Sequence, residues 1–368
     1  MLVVNAGSSS LKLRLLDDRD LIDHSADLPA GPDGFDGSRL SAVLQDWGRP
    51  DVVGHRIVHG GTLFAGPVRV NAAVREQLQE LTDLAPLHQP KSLAALDAVT
   101  AALPEVAAVA CFDTAFHATI PAAAATYAVP LEWRNRYGIR RYGFHGLSHA
   151  NCSHRAAEML DRPVAGLRVI TCHLGAGASL AAVLDGRSVD TTMGFTPLEG
   201  LVMATRSGSV DPGLVLWLEE HEHLTPHEVA TALEERSGLA ALAGTGDMRE
   251  VEAAVDRGDP AAVLALDVYT HRLAGGIGAM SAATGGVDVL VFTGGVGEHS
   301  PTVRRRAAER LGFLGVAVDA HRNETAQGDV DVTAAGASVR TMVIIAREDL
   351  QIAREVRRLL QGQRLSCT

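Results

Sequence analysis

Several segments of this sequence end in clusters of Arg, His, Asp and Gly that could act together on an anionic substrate. The segment GHRIVHGG contains His55, Arg56 and His59 beside paired glycines, and APLHQP contains His88 in a predicted loop. Asp113 directly follows the apolar run VAAVACF, where a carboxylate is costly unless a cation or a metal accompanies it. These positions are candidates for a charged site at the ends of strands.

Three further segments carry residues of the same kinds. RRYGFHGLSHA contains Phe144, His145 and His149, and Arg206 lies among small residues in TTMGFTPLEGLVMATRSGSVDPG. Glu348 begins a predicted helix in IIAREDL, where a first-turn acid is also common for purely structural reasons. The inventory includes no nucleophile-elbow serine and no cysteine paired with a histidine. It is typical of phosphoryl transfer, in which the protein mainly positions reactants and neutralises charge.

Two turns rich in Gly, Ser and Ala divide apolar runs, GSSS at 7–10 and GAGAS at 175–179. The second is not a dinucleotide fingerprint, because the third glycine is replaced by Leu180, and it is not a Walker A loop, because no lysine follows. Both turns read as hairpin tips between strands. An offset of 169 residues aligns three positions of the two segments: Ser10, Leu11 and Leu15 with Ser179, Leu180 and Leu184. The pattern predicts an internal duplication.

The elements that must position these residues alternate between strands and helices, which predicts an α/β fold. We predict strands at 1–16, 51–58, 106–113, 287–293 and 340–346, and helices at 72–84, 92–102, 149–160, 212–220, 226–236, 258–283, from about 301, and at 348–360. The Gly-, Pro- and Asp-rich stretch 29–38 is predicted to be a loop, as is the glycine-rich GGVGEHS at 294–300.

Bulk composition narrows the class of protein. A chain of 368 residues with 46% hydrophobic residues predicts two domains of about 150 to 200 residues each. The net charge of −11 argues against a nucleic-acid surface, which needs cations to release counterions. The sequence has neither an 18-residue apolar run nor a signal-peptide pattern, so we expect a cytoplasmic protein without membrane association.

Taken together, the motifs resemble those of the acetokinase family. The matching segments, in order, are VVNAGSSSLK, GHRIVHGG, APLHQP, FDTAFH, YGFHGLSH, TCHLGAGAS, MGFTPLEGLVMATRSGSVDP and FTGGVGE. The resemblance runs from residue 2 to about residue 358, and its block at 192–212 is the most specific. It implies two duplicated ribonuclease H-like domains, of the actin and sugar-kinase type, with a cleft between them. The implied domains are an N-terminal one, 1–117 plus 350–368, and a nucleotide-binding one, 118–349.

The resemblance also implies a reaction: reversible, Mg²⁺-dependent transfer of the γ-phosphoryl group of ATP to acetate, giving acetyl phosphate and ADP. Mn²⁺ is an alternative to Mg²⁺, and a homodimer is implied. Two alternatives remain open, a propionate kinase of the same family and a non-catalytic, actin-like ATP-binding protein. A dinucleotide-dependent dehydrogenase is disfavoured by the failed fingerprint.

Residue roles follow from the same resemblance. The catalytic residues implied are Arg56, Arg206, Asp113 and His145, supported by His88 and His173. The metal is implied at Asn5 and Glu348, and the acyl pocket at Arg56, Val58, Leu87, Phe144 and Pro197. The ATP-binding residues implied are Ser8, Ser10, Lys12, His173, Gly175, Ala176, Gly177, Asp247, Met248, Arg249, Gly295, Val296 and Gly297. For Lys12, a role as a strand-surface residue is the alternative.

Four positions depart from the pattern of the family. Ala176 replaces an asparagine in the second hairpin, Met248 an aromatic residue near the adenine, His299 an asparagine, and Arg347 an asparagine. We expect an active enzyme with altered affinity for phosphate or nucleotide, because the backbone N–H groups of the hairpin remain.

Overall fold

A computed structural model of the protein describes residues 1–7, 10–31, 34–35, 37–86 and 88–366. The chain forms two compact units. The first contains Met1–Ala118, Phe144–Asn151 and Arg347–Thr368, and the second contains Thr119–Gly143 and Cys152–Ala346. The division into domains near residues 117 and 349 stays a prediction.

The strands, in chain order, are β1 (Leu2–Ala6), β2 (Ser10–Leu16), β3 (Ile22–Gly31), β4 (Gly34–Phe35), β5 (Val52–Ile57), β6 (Val68–Arg69), β7 (Ala107–Phe112), β8 (Arg168–Leu174), β9 (Ala178–Leu184), β10 (Arg187–Thr191), β11 (Val289–Thr293), β12 (Val330–Asp331) and β13 (Arg340–Val343).

The helices are α1 (Gly37–Asp46), α2 (Ala72–Glu80), α3 (Gln89–Ala102), α4 (Ala122–Ala125), α5 (Leu131–Tyr137), α6 (Gly146–Met159), α7 (Pro212–His221), α8 (Pro226–Glu235), α9 (Gly238–Ala243), α10 (Met248–Asp256), α11 (Pro260–Thr284), α12 (Gly294–His299), α13 (Pro301–Arg310), α14 (Ala320–Glu324) and α15 (Glu348–Ser366). Short 3₁₀ segments cover Leu81–Leu84, Ala115–Thr119 and Gly312–Leu314. Among the described residues, no helix has the length and apolarity needed to span a membrane.

The two sheets repeat one topology. In the first unit the strand order is β4-β3-β2-β1-β5-β7-β6, and in the second it is β10-β9-β8-β11-β13-β12. Each sheet begins with consecutive antiparallel strands, four in the first (β4-β3-β2-β1) and three in the second (β10-β9-β8). Each continues with two strands parallel to the last of these and ends with a short antiparallel edge strand. The duplicated ribonuclease H-like fold implied by the sequence motifs is therefore confirmed.

Helices cover both faces of the first sheet. Buried and exposed residues alternate at the start of β2, where Leu11 and Leu13 are fully buried and Lys12 is exposed. These leucines pack in a core with α3, and the opposite face packs against α15. A Cβ at Gly54 of β5 would lie 2.5 Å from Ile352 Cγ2, so glycine at this position lets α15 approach the strand closely.

Two predicted loops are regular structure instead. In the stretch 29–38, residues 32, 33 and 36 lie outside the described residues, and the others form the end of β3, all of β4 and the start of α1. Pairing of β3 with β2 and β4 outweighs the local turn propensity of Gly and Pro. The predicted loop GGVGEHS mostly forms the short helix α12, which is held by side-chain hydrogen bonds from Glu298 and from Arg304 of the following helix.

A buried carboxyl on α15 makes stability depend on pH. Glu355 Oε1 accepts a hydrogen bond from Gln351 Nε2 at 3.1 Å, while Glu355 Oε2 is buried without a partner in the described structure. Burial raises the pKa of Glu355 to about 7 against the opposing effects of Gln351, Cys111 and Arg358, and Asp113 adds to the increase. Because the pKa is raised in the folded state, protonation of Glu355 stabilises the fold. This stabilisation is complete below about pH 4.5 and is lost as the pH rises through 7.

We therefore expect Glu355→Gln to gain stability relative to the parent protein as the pH rises from 4.5 to 7, by up to about 3 kcal/mol. Urea unfolding of both proteins at pH 4.5, 6 and 8 measures this difference in the free energy of unfolding. Other titrating groups largely cancel in the comparison. A difference independent of pH would contradict the assignment.

Candidate active site

In the first unit, four polar residues converge at the carboxyl ends of neighbouring strands. Arg56 of β5 forms an ion pair with Asp113, which directly follows β7, with Nη2 2.6 Å from Oδ2 and Nε 3.1 Å from Oδ1. Asn5 of β1 donates from Nδ2 to Glu348 Oε2 at 2.6 Å and accepts from Arg56 Nη1 at 3.2 Å. Since β1, β5 and β7 are parallel, their ends meet at one edge, and the packing of α15 brings its first residue there.

The cluster is largely removed from water. The side chain of Asp113 is 1% exposed, and those of Arg56 and Glu348 are each 14% exposed. Burial alone would lower the pKa of Arg56, but the charges of Asp113 and Glu348 outweigh it and raise the pKa. Burial raises the pKa of the Asp113 carboxyl. The charge of Arg56 opposes this increase, and that of Glu348 adds to it. The guanidinium thus stays charged, and its planar fork is fixed by the bidentate pair.

The start of α6 packs on the backbone of Asp113. Gly146 N donates to Asp113 O at 2.9 Å, and a Cβ on Gly146 would lie 2.2 Å from that oxygen, so only glycine fits here. The preceding His145 has a φ of 56°, an uncommon backbone conformation for a non-glycine residue. Such outliers are frequent at functional sites.

Histidine and aromatic side chains pack around Phe144 and the start of α6. The Phe144 carbonyl accepts from His117 Nε2 at 2.9 Å, and the ring of His59 lies 5.5 Å from that of Phe144, edge to face. The His145 and His149 rings are 6.4 Å apart. Burial lowers the pKa of His117 to about 4, against the hydrogen bond to Phe144, so this ring is neutral at physiological pH. His117 was not predicted as a site residue, although FDTAFH contains it.

Of the other residues predicted in the first unit, Val58 and Phe144 are buried and His88 is half-buried just before α3. Ser10 begins β2, and Lys12 pairs with Asn5 in the strand register, with its side chain exposed. Ser8 and Leu87 lie outside the described residues.

In the second unit, the β8–β9 hairpin has the predicted tight tip. Gly175 N donates to Gly177 O at 2.9 Å, and His173 pairs with Ser179 at the base of the tip. Ala176 is exposed, and its carbonyl accepts from Ala204 N at 3.2 Å. The hairpin tip is therefore tied to the segment that carries Arg206.

Arg206 is held by short-range contacts within that segment. Its Nη1 donates to Pro197 O at 3.1 Å and lies 3.8 Å from Met203 Sδ. Burial lowers the pKa of Arg206, and the charge of Glu234 opposes this shift. A partly desolvated cation of this kind interacts strongly with an incoming anion.

The predicted nucleotide residues lie at two helix starts. Asp247 caps α10 and pairs with Arg249 Nη2 at 2.5 Å, whereas Met248 is 4% exposed. Gly295, Val296 and Gly297 lie in α12, where Gly295 has open space around its Cα.

The other two positions that depart from the family pattern lie beside helix ends. His299 is exposed at the end of α12. Arg347 pairs with Asp349, with Nη2 2.8 Å from Oδ2.

The donors near Arg56 suit a hard divalent cation. Across the described ranges, no group of three or more His, Cys, Asp or Glu is arranged to hold a metal. Mg²⁺ does not need such a group, because it commonly binds one or two carboxylates together with waters and phosphate oxygens. Asn5 and Glu348, whose side chains touch, offer donors of this kind.

Two further residues, Glu298 and Arg304, form hydrogen bonds that hold α12, and sequence reasoning did not select them. Arg304 belongs to the run RRR at 304–306, in which nothing local separates the buried arginine from its neighbours. Glu298 lies inside the motif FTGGVGE, so that motif was the available signal.

Comparisons with known proteins identify the family. The sequence model of the acetokinase family matches residues 39–354. An acetate kinase from Gloeobacter violaceus is 47% identical over 342 residues, which cover 90% of this chain and 84% of that protein. The crystal structure of Porphyromonas gingivalis acetate kinase has a TM-score of 0.88 at 36% identity, covering 98% of this chain and 99% of the other.

A propionate kinase from Francisella tularensis subsp. tularensis is equally similar in structure, with a TM-score of 0.89 at 35% identity over 96% of this chain and 98% of the other. The motifs, the duplicated sheets and these relatives agree. The chain therefore belongs to the acetokinase family and is a phosphotransferase with a carboxyl group as acceptor.

Proposed function

We propose that this enzyme is an acetate kinase, which transfers the γ-phosphoryl group of ATP to acetate, reversibly and by direct in-line displacement. The observation that carries the proposal is the buried Arg56–Asp113 pair with Glu348 beside it. A fixed guanidinium next to carboxylate and amide oxygens can bind an anionic acceptor and a metal-bound phosphate at one place.

The reaction needs charge neutralisation rather than a general base, because acetate is already ionised at neutral pH. One acetate oxygen forms a bond to the γ-phosphorus while the bond from phosphorus to the bridging oxygen breaks, and that electron pair stays on ADP. Arg56 and Arg206 bind the carboxylate and the transferring phosphoryl group. His145 donates to the phosphoryl oxygens, with support from His88 and His173, and Asp113 orients Arg56.

Asn5 and Glu348 would hold Mg²⁺, or Mn²⁺ in its place, and the ion would neutralise and align the phosphates of the nucleotide. The remaining ATP contacts are assigned by family resemblance to the two hairpins and two helix starts: Ser8, Ser10, Lys12, Gly175, Ala176, Gly177, Asp247, Met248, Arg249, Gly295, Val296 and Gly297.

The acceptor's alkyl group would lie in an apolar pocket formed by Val58, Leu87, Phe144 and Pro197. The similarity to a propionate kinase keeps propionate as the second candidate acceptor. One methylene changes binding in an apolar pocket by only about 1 to 3 kcal/mol, so both acids should react. We further propose a cytoplasmic homodimer built from the two domains implied by the sequence motifs.

Trapping of acyl phosphate as the hydroxamate tests this function. Purified protein is incubated with MgATP, hydroxylamine and acetate, propionate or butyrate. We expect product with acetate and propionate and less with butyrate. Absence of product with all three acids, together with intact ATP binding, would favour the non-catalytic alternative.

A single substitution tests the role of the second hairpin. Ala176→Asn should lower the KM for ATP by about tenfold, because one side-chain hydrogen bond to a charged phosphate contributes about 1.5 kcal/mol. The exposure of Ala176 leaves room for the larger side chain. Steady-state kinetics with varied ATP measure the change, and Ala176→Ser is the smaller matched variant. An unchanged KM would show that this tip does not contact phosphate.

A further inference from the structure

Helix α12 is too short and too rich in glycine to hold its own shape. It has six residues, GGVGEH, of which three are glycine. Short helices are marginal in water, and glycine in a helix costs about 1 kcal/mol relative to alanine. The glycine turn of this helix, Gly294–Gly297, therefore depends on side-chain hydrogen bonds in addition to those of the helix backbone.

The first of these contacts is at the N-terminal end. Glu298 Oε1 accepts from Gly294 N at 2.9 Å and from Ala346 N, also at 2.9 Å. Gly294 has a φ of 78°, and a Cβ there would lie 2.8 Å from Leu174 O, so this position tolerates no side chain. One carboxylate oxygen thus links the glycine turn to the segment that precedes Glu348 by two residues.

The second contact is at the C-terminal end. Arg304 of α13 is 1% exposed, and its Nη1 donates to Gly297 O and Glu298 O, both at 2.9 Å. Its Nε donates to Asn323 Oδ1 at 2.8 Å and its Nη2 to Asn323 O at 2.6 Å. Burying a guanidinium is costly unless its donors are satisfied, and here they satisfy the carbonyls that end α12.

We propose that Glu298 and Arg304 are positioning residues of the nucleotide site, which fix the backbone of Gly295–Gly297 from both ends of α12. This inference rests on the proposed acetate kinase function. Neither side chain is assigned a contact with ATP. Glu298 additionally ties the glycine turn to the backbone of Ala346.

The experiment separates positioning from simple structural support. Glu298→Ala removes the shared acceptor, whereas Glu298→Gln keeps an oxygen for both N–H groups. We expect Glu298→Ala to raise the KM for ATP by about 10- to 100-fold, as loss of supporting partners does at metal sites. The KM for acetate should stay the same. Glu298→Gln should restore the KM for ATP to within about threefold, because a neutral acceptor retains most of the hydrogen bonding.

Two further variants complete the test. Arg304→Lys keeps the positive charge but removes the planar guanidinium with its several donors. It should also raise the KM for ATP and leave the KM for acetate unchanged. Glu309→Ala is the matched control, since it removes an exposed carboxylate that pairs with Arg305 on the surface. A purely structural role would reduce the folded fraction, lowering kcat with neither KM changed.

Direct binding distinguishes the possible failures. Calorimetric titration of each variant with ATP should give a Kd that changes in parallel with the KM. An active parent enzyme whose Glu298→Ala variant keeps its KM and Kd for ATP would overturn this inference alone. A parent protein that binds ATP without forming acyl phosphate would instead overturn the proposed function.

Discussion

Replacing Arg56 with alanine should lower the turnover of acetyl phosphate formation by about 10³- to 10⁵-fold, the effect found when a transition-state arginine is removed from other phosphoryl-transfer sites. The reason is electrostatic. Acetate and the γ-phosphoryl group are both anionic, and Arg56 is the cation that Asp113 holds in a bidentate pair at the edge of the first sheet. Steady-state rates with saturating MgATP and acetate measure the loss.

The same substitution should also destabilise the protein. It leaves the 1%-exposed Asp113 without its cation, and breaking a buried pair in this way costs about 3 to 5 kcal/mol. Urea unfolding separates this loss from the loss of turnover. Arg56→Lys keeps a positive charge but loses the planar guanidinium that pairs with Asp113 through two nitrogens. The turnover of this variant should therefore remain far below that of the parent.

Arg14→Ala is the matched control for Arg56, because it removes an arginine from an exposed pair with Asp27. Surface pairs contribute little, so its rate should equal that of the parent. A folded Arg56→Ala variant with more than a tenth of the parent rate would contradict the assigned role.

Replacing Arg206 with alanine should produce a loss of the same order, about 10³- to 10⁵-fold in turnover. Arg206 donates to the Pro197 carbonyl at 3.1 Å, and burial lowers its pKa, whereas the charges of Asp113 and Glu348 raise the pKa of Arg56. We therefore expect a smaller loss of stability than for Arg56→Ala. Kinetic and unfolding measurements on both variants test the contrast.

Arg236→Ala, which removes an exposed arginine at the end of α8, is the control for Arg206. A folded Arg206→Ala variant that retains the full rate would remove this residue from the site. A variant with reduced rate and equally reduced stability would indicate a structural role instead.

Local pattern in the sequence was enough to predict the hairpins and the duplication. Leu11 and Leu13 alternate with Lys12, and that period of two requires a strand with one buried face. The apolar run before Asp113 likewise predicted a buried strand ending in a carboxylate. These features depend only on residues that are neighbours in the chain, so they can be predicted from the sequence alone.

Contacts between distant residues could not be derived in this way. Asn5 and Glu348 are 343 positions apart, and their hydrogen bond depends on how α15 packs against Gly54. The resemblance to the acetokinase family selected both residues, but no spacing in the chain fixes their distance.

The helix α12 was missed for a related reason. Its glycines favour a loop when considered alone, and the bonds from Arg304 that stabilise its end come from the next helix. Burial of Arg304 rather than its neighbours is decided by packing against α14 and the backbone, which a run of three arginines does not reveal.

The central claim is direct transfer of the γ-phosphoryl group from ATP to acetate, and phosphorus NMR of a reaction mixture tests it most directly. With MgATP and acetate, acetyl phosphate and ADP should accumulate in equal amounts, and no inorganic phosphate should precede them. Added ADP and acetyl phosphate should regenerate ATP. Release of inorganic phosphate without acetyl phosphate, or no turnover by a folded protein that binds ATP, would contradict the account.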